Sequence, residues 1–457
     1  MAIRWTILVI LDVLLAVFAL YLAEVVRFGP AEVAKKLLDS DSLFASFVFV
    51  GTVLFSSYLM ETYNLGKNSK RREVLINTLL AVITSFALLS IVYYLAPDLM
   101  LGRGVLTIAI TLFALFQFLW HVVYLIGHNN PRFSQRVLIL GTGSLANQLG
   151  ELAAANERNF TLAGYATCDS DGVGNPEVSH QDIIGSADNL LETATRARAN
   201  MIVVALSERR GVFPLRDVLR CKLNGIEILD APAFYELSNG KLMLEQITPG
   251  WFIFSSGFRR TALISVVKRG IDIVLSAVGM LMTAPFFPFL ALIIRLDSPG
   301  PLFFRQIRVG NREKAFNLYK FRTMCADAEE KTGAVWSMKN DSRVTRVGRF
   351  LRNSRIDEIP QLYNVLKGEM SFIGPRPERP EFVEKLKQVI PFYSKRHFIK
   401  PGLTGWAQVR YPYGSSVEDA VEKLRYDLYY VKNISMFLET LIFFETIKVV
   451  LFGRGGR

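Results

Sequence analysis

The chain has 457 residues, 51% hydrophobic and 21% charged, with a mean hydropathy of +0.28 and a formal net charge of +12. That balance excludes a disordered tail, a collagen-like repeat and a small disulfide scaffold, and it places part of the chain in lipid. The basic excess suits phosphates or an anionic membrane surface rather than a particular fold.

The first third reads as membrane. Apolar stretches at about 5–26, 43–60, 74–96 and 105–126 each approach the roughly 20 residues a helix needs to cross the hydrocarbon. The first is too long for a signal peptide and has no small-residue cleavage site, so a retained anchor is expected. Lys67, Lys70, Arg71 and Arg72, with Arg132 and Arg136 after the fourth stretch, put loop 61–73 and everything beyond residue 128 on the cytoplasmic side. Asp98 and a single Arg103 occupy the opposite loop, whereas Arg27, Lys35 and Lys36 run against the rule among acidic neighbours. The reading is a multi-pass membrane protein of four spans with its N-terminus inside and its C-terminal bulk in the cytosol. For Asp12 and Glu24, a carboxyl facing the helix bundle or snorkelling is the commoner role, and a proton or ion site the alternative.

The middle third alternates strands and helices: Arg136–Gly141, a helix over Ser144–Ala155, a strand over Phe160–Thr167, a helical stretch near Ala187–Ala199 and a strand over Met201–Leu206. This predicts a doubly wound, Rossmann-like parallel sheet. Gly141-Thr-Gly143-Ser-Leu-Ala146 sits after a strand and before a helix, where glycines allow a tight turn and close approach of a phosphate. Asp169 and Asp171 follow the second strand, placed to hold a ribose. The same turn occurs in domains of this kind that bind nothing, so nucleotide binding stays open. Cys168, Cys221 and Cys325 lack any CxxC spacing, and His121, His128, His180 and His397 lack HExxH. Neither a zinc site nor a disulfide framework is expected, and the thiols suit a reducing compartment.

The last third opens with a long apolar run, Gly270–Leu296, interrupted by Pro285 and Pro288 and flanked by Lys268, Arg269 and Arg295. Proline bends a helix, and basic residues at both ends favour a helix that dips into one leaflet and returns. A fifth span is the competitor. Further on, Arg343, Arg346, Arg349, Arg352 and Arg355 recur every third residue. That spacing drifts around a helix, so two or three can converge on one anion while the rest face solvent or headgroups, and Gly348 is a potential break. Asp357 and Glu358 precede Pro360, a pattern that reads as a helix start with Asp357 as N-cap. Carboxylates so placed can hold Mg2+ against substrate phosphates, or attack phosphorus to give an aspartyl phosphate; from pattern alone capping is the commoner role.

The stretches KRGIDIVLS, DSPGPLFFRQIRVG, FNLYKFRTM, RIDEIPQLYNVLKGEMSFIGPRPE and KPGLTGWAQV lie in this order between Lys268 and about Arg454. In them the chain closely resembles the bacterial polyprenyl-phosphate sugar phosphotransferases, the monotopic phosphoglycosyl transferases. The preceding spans and Rossmann-like domain resemble the family's long form, found in exopolysaccharide and O-antigen pathways. The implied architecture is a multidomain protein of the bacterial inner membrane, with its active site on the cytoplasmic face. It has a four-helix transmembrane bundle (1–130), a Rossmann-like α/β domain (131–262) and a mainly helical catalytic domain (263–457) with a re-entrant helix at about 270–296.

The resemblance implies that Asp357 attacks the sugar-bearing phosphate of a UDP-sugar and releases UMP. Undecaprenyl phosphate then takes the sugar phosphate. By the same resemblance Glu358 assists through Mg2+ or proton handling, Arg352 binds phosphate, Lys320, Arg322 and Arg376 contact phosphate or uridine, and Pro285 kinks the re-entrant helix. UDP-sugar, undecaprenyl phosphate and membrane lipid are the expected partners, with no nucleic acid and room for a homo-oligomer. Ile434–Phe452 reads as an interfacial helix, with a buried core helix as the alternative.

Two other classes compete. Tyr363 and Lys367 match the YxxxK spacing of NAD-dependent sugar-nucleotide dehydratases and epimerases, though they lie far beyond the glycine turn. A nucleotide-sensing transporter would fit the first two thirds and leave the last without a task.

Overall fold

The computed structural model describes residues 2–36, 39–60, 62–63, 71–128, 134–156, 159–168, 177–206, 213–258, 261–325, 341, 343–411, 414 and 416–451. Lys67, Lys70, Arg132, Asp169 and Asp171 lie outside the described residues. The chain forms two compact units, one of residues 1–136 with 156–161 and one of the remainder.

The first unit is helical: α1 (Ala2–Phe28), α2 (Pro30–Lys36), α3 (Ser40–Leu59), α4 (Arg71–Leu95) and α5 (Arg103–His128). Asp39 starts α3 by accepting from the Ser42 amide at 3.2 Å. Alanines 16, 19, 23 and 109 are buried with Phe49, Val53, Leu89 and Phe113, and small side chains of this kind let apolar helices approach closely. The outward faces are apolar and open, with Phe47 73% and Tyr94 86% exposed. Each long helix is apolar enough to cross a membrane, and residues 262–297 meet the same criterion. Asp12 is fully buried inside the bundle, where Gln117 donates to its Oδ2 at 2.6 Å and His121 Nε2 lies 3.2 Å away.

Beyond the first two residues of β1 and of β2, which fall in the first unit, the second unit holds a sheet of β1 (Gln135–Leu140), β2 (Phe160–Thr167), β3 (Ile183–Ser186), β4 (Met201–Val204) and β5 (Glu227–Asp230) in the order 3-2-1-4-5. β1 pairs parallel with β4 from Val137↔Met201 to Leu140↔Val204. The strands alternate with α6 (Ser144–Ala155), α7 (Leu190–Arg196), α8 (Leu215–Leu223) and α9 (Ala231–Asn239). This is the doubly wound order, with its switch point between β1 and β4. The stretch expected to be helical from Ala187 to Ala199 enters through a 3-10 turn, and α7 stops at Arg196, two residues before Arg198 turns left-handed at φ +51°.

Residues 240–258, including α10 (Pro249–Phe254), pack away from the sheet. Leu242, Ile247, Trp251 and Phe252 share a core with Val309, Phe382, Leu386, Tyr393, Leu424 and Leu428. The long apolar run becomes α11 (Ala262–Thr283), a 3-10 turn Ala284–Phe286 holding Pro285, and α12 (Phe287–Asp297). The break falls at Pro285, which has no N–H to continue the ladder. Leu281, Met282, Phe286, Phe289 and Leu296 around it are at least 62% exposed.

Both limbs dock on the same domain. α11 is held at its root by Lys268, Arg269 and Asp272, as detailed below. α12 packs Ile294 against Phe321 and Leu351, and Asp297 accepts from the Val347 amide at 3.1 Å. The rest comprises the antiparallel pair β6 (Phe303–Val309) and β7 (Ala315–Phe321), α13 (Arg346–Asn353), α14 (Gln361–Lys367), β8 (Ser371–Ile373), α15 (Pro380–Val389), β9 (Gly402–Thr404), α16 (Trp406–Arg410), α17 (Val417–Lys432) and α18 (Met436–Leu451).

Two expectations change here. Gly348 does not break its segment: it lies inside α13, where a Cβ would stand 2.1 Å from the Thr323 carbonyl oxygen, so glycine serves close packing. Ile434–Phe452 is not an interfacial helix with a polar face. Glu439 of α18 is buried and receives bonds from Lys268 and Tyr430, and Leu438 and Ile442 join Tyr430 and Trp406 in the core.

Candidate active site

The Asp357–Glu358 pair sits in a 3-10 turn, Ile356–Glu358, between α13 and α14. Arg355 enters it in the left-handed region at φ +58°, a conformation that costs a non-glycine residue roughly 1–2 kcal/mol. The reversal turns both carboxyls inward, leaving Asp357 6% and Glu358 8% exposed. Asp357 therefore caps nothing. Pro360 occupies the N-cap position of α14, with no side chain bonded to the first turn.

Cations meet these carboxyls from separate parts of the chain. Lys320, near the end of β7, donates to Glu358 Oε1 at 2.8 Å and lies 3.6 Å from Asp357 Oδ2. Arg376, in the Gly-Pro-Arg-Pro loop, donates to the same Glu358 oxygen at 2.7 Å, and Arg355 stands 3.6 Å from the other. Burial alone would raise the Glu358 pKa, but Arg376, Lys320 and Arg355 together hold it well below the usual carboxylate range. Asp357 goes the opposite way. Burial lifts it, the neighbouring Glu358 charge adds to the rise, and Lys320, Arg376 and Arg352 only partly oppose it. One carboxylate is thus neutralised in place, while the other is the more basic and less engaged of the two.

Of the arginines at three-residue spacing, Arg352 and Arg355 face this centre. Arg352 donates from Nε to Thr323 Oγ1 at 2.9 Å. Arg343 binds Asp341 at 2.6 Å, and Arg346 and Arg349 are exposed. Arg322 is not brought onto the pair. It is buried, donates from Nη2 to the Ser298 carbonyl, and keeps Nε and Nη1 without hydrogen-bond partners.

Several residues that hold the turn in place were given no part in the site by the sequence reading, although Lys268 and Arg269 figured in it as the basic flank of the apolar run. Arg269 donates to the Val365 and Leu366 carbonyls, both at 2.7 Å, and so caps the C-terminal end of α14. Lys268 donates to Ile373 O at 3.0 Å, while Asp272 accepts from Ser371 and Phe372 at 3.0 and 2.9 Å. These three turn the KRGID stretch into a clamp between the apolar helix α11 and the segments that flank the Asp–Glu turn. Asn364 links α14 to β7, donating to Asn317 O at 2.7 Å and accepting from the Tyr319 amide at 3.2 Å. The only advance sign was that lysine, arginine and aspartate open an apolar helix, where charge needs a partner.

As for metal, no three histidine, cysteine, aspartate or glutamate side chains converge among the described residues. The chain offers two adjacent carboxylates, one already shared with cations. That donor set fits Mg2+ only with substrate phosphate oxygens and water completing the shell.

The glycine turn is different. Gly141 has φ +129°, and a Cβ there would lie 2.8 Å from the Ala205 carbonyl oxygen, so strand packing already requires glycine. Gly143 accepts from the Asn147 amide at 3.0 Å and begins α6. Tyr363 is half-exposed and edge-on to Tyr319, and Lys367 pairs with Glu369 at 2.6 Å.

One of the helices long and apolar enough to cross a membrane thus stands beside a clamped Asp–Glu pair set among cations. Residues 263–453 match the model of the bacterial sugar transferase family.

Three relatives extend that match. The UDP-N-acetylgalactosamine-undecaprenyl-phosphate N-acetylgalactosaminephosphotransferase of Aeromonas hydrophila is 40% identical over 242 residues, 53% of this chain and 56% of that protein. The undecaprenyl-phosphate glucose phosphotransferase of Komagataeibacter xylinus is 34% identical over 342 residues, 71% of this chain and 60% of that one. The exopolysaccharide production protein PSS of Rhizobium leguminosarum bv. phaseoli is 43% identical over 187 residues, 40% of this chain and 94% of its own length. The chain belongs to the bacterial sugar transferase family. It spans a little over half the length of the Aeromonas and Komagataeibacter relatives.

Proposed function

We propose that the protein transfers a sugar 1-phosphate from a UDP-sugar to undecaprenyl phosphate. The products are undecaprenyl-diphosphate-sugar and UMP, in the first membrane step of exopolysaccharide or O-antigen synthesis. The carrying observation is the asymmetric pair: Glu358 is neutralised by three cations, while Asp357 is buried, raised in pKa and 3.6 Å from its nearest cation. The relatives' names supply the substrate classes.

An Asp357 carboxylate oxygen attacks the sugar-bearing phosphorus. The P–O bond to the UMP phosphate breaks and UMP departs with that electron pair. A phosphate oxygen of the lipid acceptor next attacks the same phosphorus, and the aspartyl–phosphorus bond breaks to restore the carboxylate. Lys320 and Arg376 hold Glu358 in place and offset the charge of the arriving diphosphate, while Arg352 is set to bind a phosphate oxygen. Asp357 and Glu358 would hold Mg2+ together with the donor's phosphates, and the bound ion would neutralise their charge.

The two-limbed helix supports a site at the inner-leaflet surface. α12 has 11 residues, about 16 Å of helix, or half of a roughly 30 Å hydrocarbon layer. Both its exit and the root of α11 are bonded to the catalytic domain, which favours a re-entrant path over a fifth span.

The test is UMP release from UDP-N-acetylgalactosamine, UDP-glucose and related donors with undecaprenyl phosphate. Asp357→Asn should lose at least about a thousandfold with every donor. Wild type mixed with donor alone should gain the mass of a sugar phosphate at Asp357. Turnover by the variant, or no adduct on wild type, would overturn the reading.

A further inference from the structure

Behind Arg376 lies a second ionic centre that touches neither carboxylate. Phe392 enters it with φ +62°, the same left-handed device that Arg355 supplies to the first turn, and starts the 3-10 segment Tyr393–Phe398. Arg396 of that segment is 6% exposed and fans out to three partners. Its Nη1 donates to Tyr393 Oη at 2.7 Å, and its Nη2 lies 2.7 Å from Asp427 Oδ2 of α17 and donates to the Arg376 carbonyl at 2.9 Å. A guanidinium suits this task because one rigid plane serves several acceptors, whereas a lysine offers a single head.

The Arg376 loop is pinned from other directions as well. Arg308 donates to Pro377 O at 3.1 Å, and the Val309 amide bonds Glu378 O at 2.9 Å. Of these ties, only Arg396 holds Arg376's own carbonyl, two covalent bonds from the Cα that carries the side chain reaching Glu358. Burying an arginine and an aspartate is costly unless the arrangement is well bonded, and an apolar pair would hold the segment at least as firmly. Stability alone therefore does not account for the choice.

We infer that Arg396, paired with Asp427 and Tyr393, is a positioning residue of the transfer reaction: it fixes the backbone of Arg376 so that the Arg376 guanidinium meets Glu358. This rests on the phosphoryl-transfer reading of the Asp357–Glu358 pair. Arg396 contacts no reacting atom and acts through Arg376. α17, which supplies Asp427, also carries Arg425 and Lys432, paired with Glu245 and Glu236. The position of Arg376 is thereby tied to the segment that follows the parallel sheet.

The experiment is a double-mutant cycle on the full chain in native lipid, reading UMP release with the best donor of the panel. The variants are Arg396→Lys, Arg376→Met and the two combined, with thermal midpoints recorded for each. Arg396→Lys should lower kcat about tenfold, with KM for the donor changed less than about twofold. In the Arg376→Met background it should cost nothing further, because the group it positions is gone.

A loss that multiplies with that of Arg376→Met, or a wild-type rate for Arg396→Lys, overturns the inference. If Arg396→Lys does not fold, Tyr393→Phe takes its place in the same cycle with the same two outcomes. Asp357→Asn, run alongside, tests the underlying reaction separately: its turnover would sink the transfer reading, whereas additivity in the cycle sinks only the positioning role.

Discussion

Two turns in this chain carry sequence signals for phosphate, and they fare differently in three dimensions. The Gly141–Gly143 turn joins β1 to α6, and its glycine is explained by 2.8 Å packing against the Ala205 carbonyl. The Arg355–Pro360 turn is explained by nothing local. Its left-handed entry, its missing cap and its two buried carboxyls make sense only through Lys320 and Arg376, which arrive from elsewhere in the chain, together with Arg352 of the preceding helix. A motif is poised for chemistry when buried charges converge on it at an energetic cost, whereas a motif satisfied by backbone packing owes no explanation to function.

The contrast can be broken by experiment. Against the loss of about a thousandfold expected of Asp357→Asn, Gly141→Ala should leave turnover per folded molecule unchanged. It should lower the stability of the parallel-sheet domain by about 2–4 kcal/mol, since the new Cβ meets a carbonyl at φ +129°. Thermal unfolding and UMP release on the same sample check both halves. A fully folded Gly141→Ala with lost turnover would give the glycine turn a share in the chemistry.

A smaller effect concerns His397, next to the positioning arginine. Burial and the Arg396 charge push it down to about 3 from an ordinary 6.5. The unfolded chain takes up a proton below pH 6.5 and the folded one does not, so stability is lost as pH falls from 6.5 towards 3. At pH 5 the loss is about 2 kcal/mol, and His397→Gln should remove it, giving a flatter thermal midpoint between pH 7.5 and 5. Asp427, raised to about 6 by burial against the pull of Arg396, acts in the opposite sense below that pH. Only the difference between wild type and variant isolates the histidine.

The smallest effect belongs to the dehydratase-like spacing. Lys367 is exposed and paired only with Glu369 among the bonds described for it. Lys367→Met should change UMP release by less than about twofold. A larger loss would reopen the Tyr363–Lys367 pair as a functional element.

Much of this protein was legible in one dimension. Long apolar runs, strand–helix alternation and the proline break are local properties, and the four N-terminal apolar helices, strands β1, β2 and β4 and the break at Pro285 appear within a few residues of where the sequence places them. Asp357, Glu358, Lys320 and Arg376 were legible too, because their motifs keep them together in order, and the structure joins them within 3.6 Å.

What the sequence could not decide was direction and partnership. Asp357 reads as a cap until the φ of Arg355 turns it inward, and Arg322 reads as a site cation until it is found on Ser298. The helix that carries Glu439 reads as interfacial until Lys268, 171 residues earlier, is seen to pair with that buried carboxyl. Periodicity and propensity act over a few residues and can be read off the chain. Pairing among buried charges is set by desolvation and by which groups folding brings within a few ångströms, and that exists only once the tertiary structure has formed.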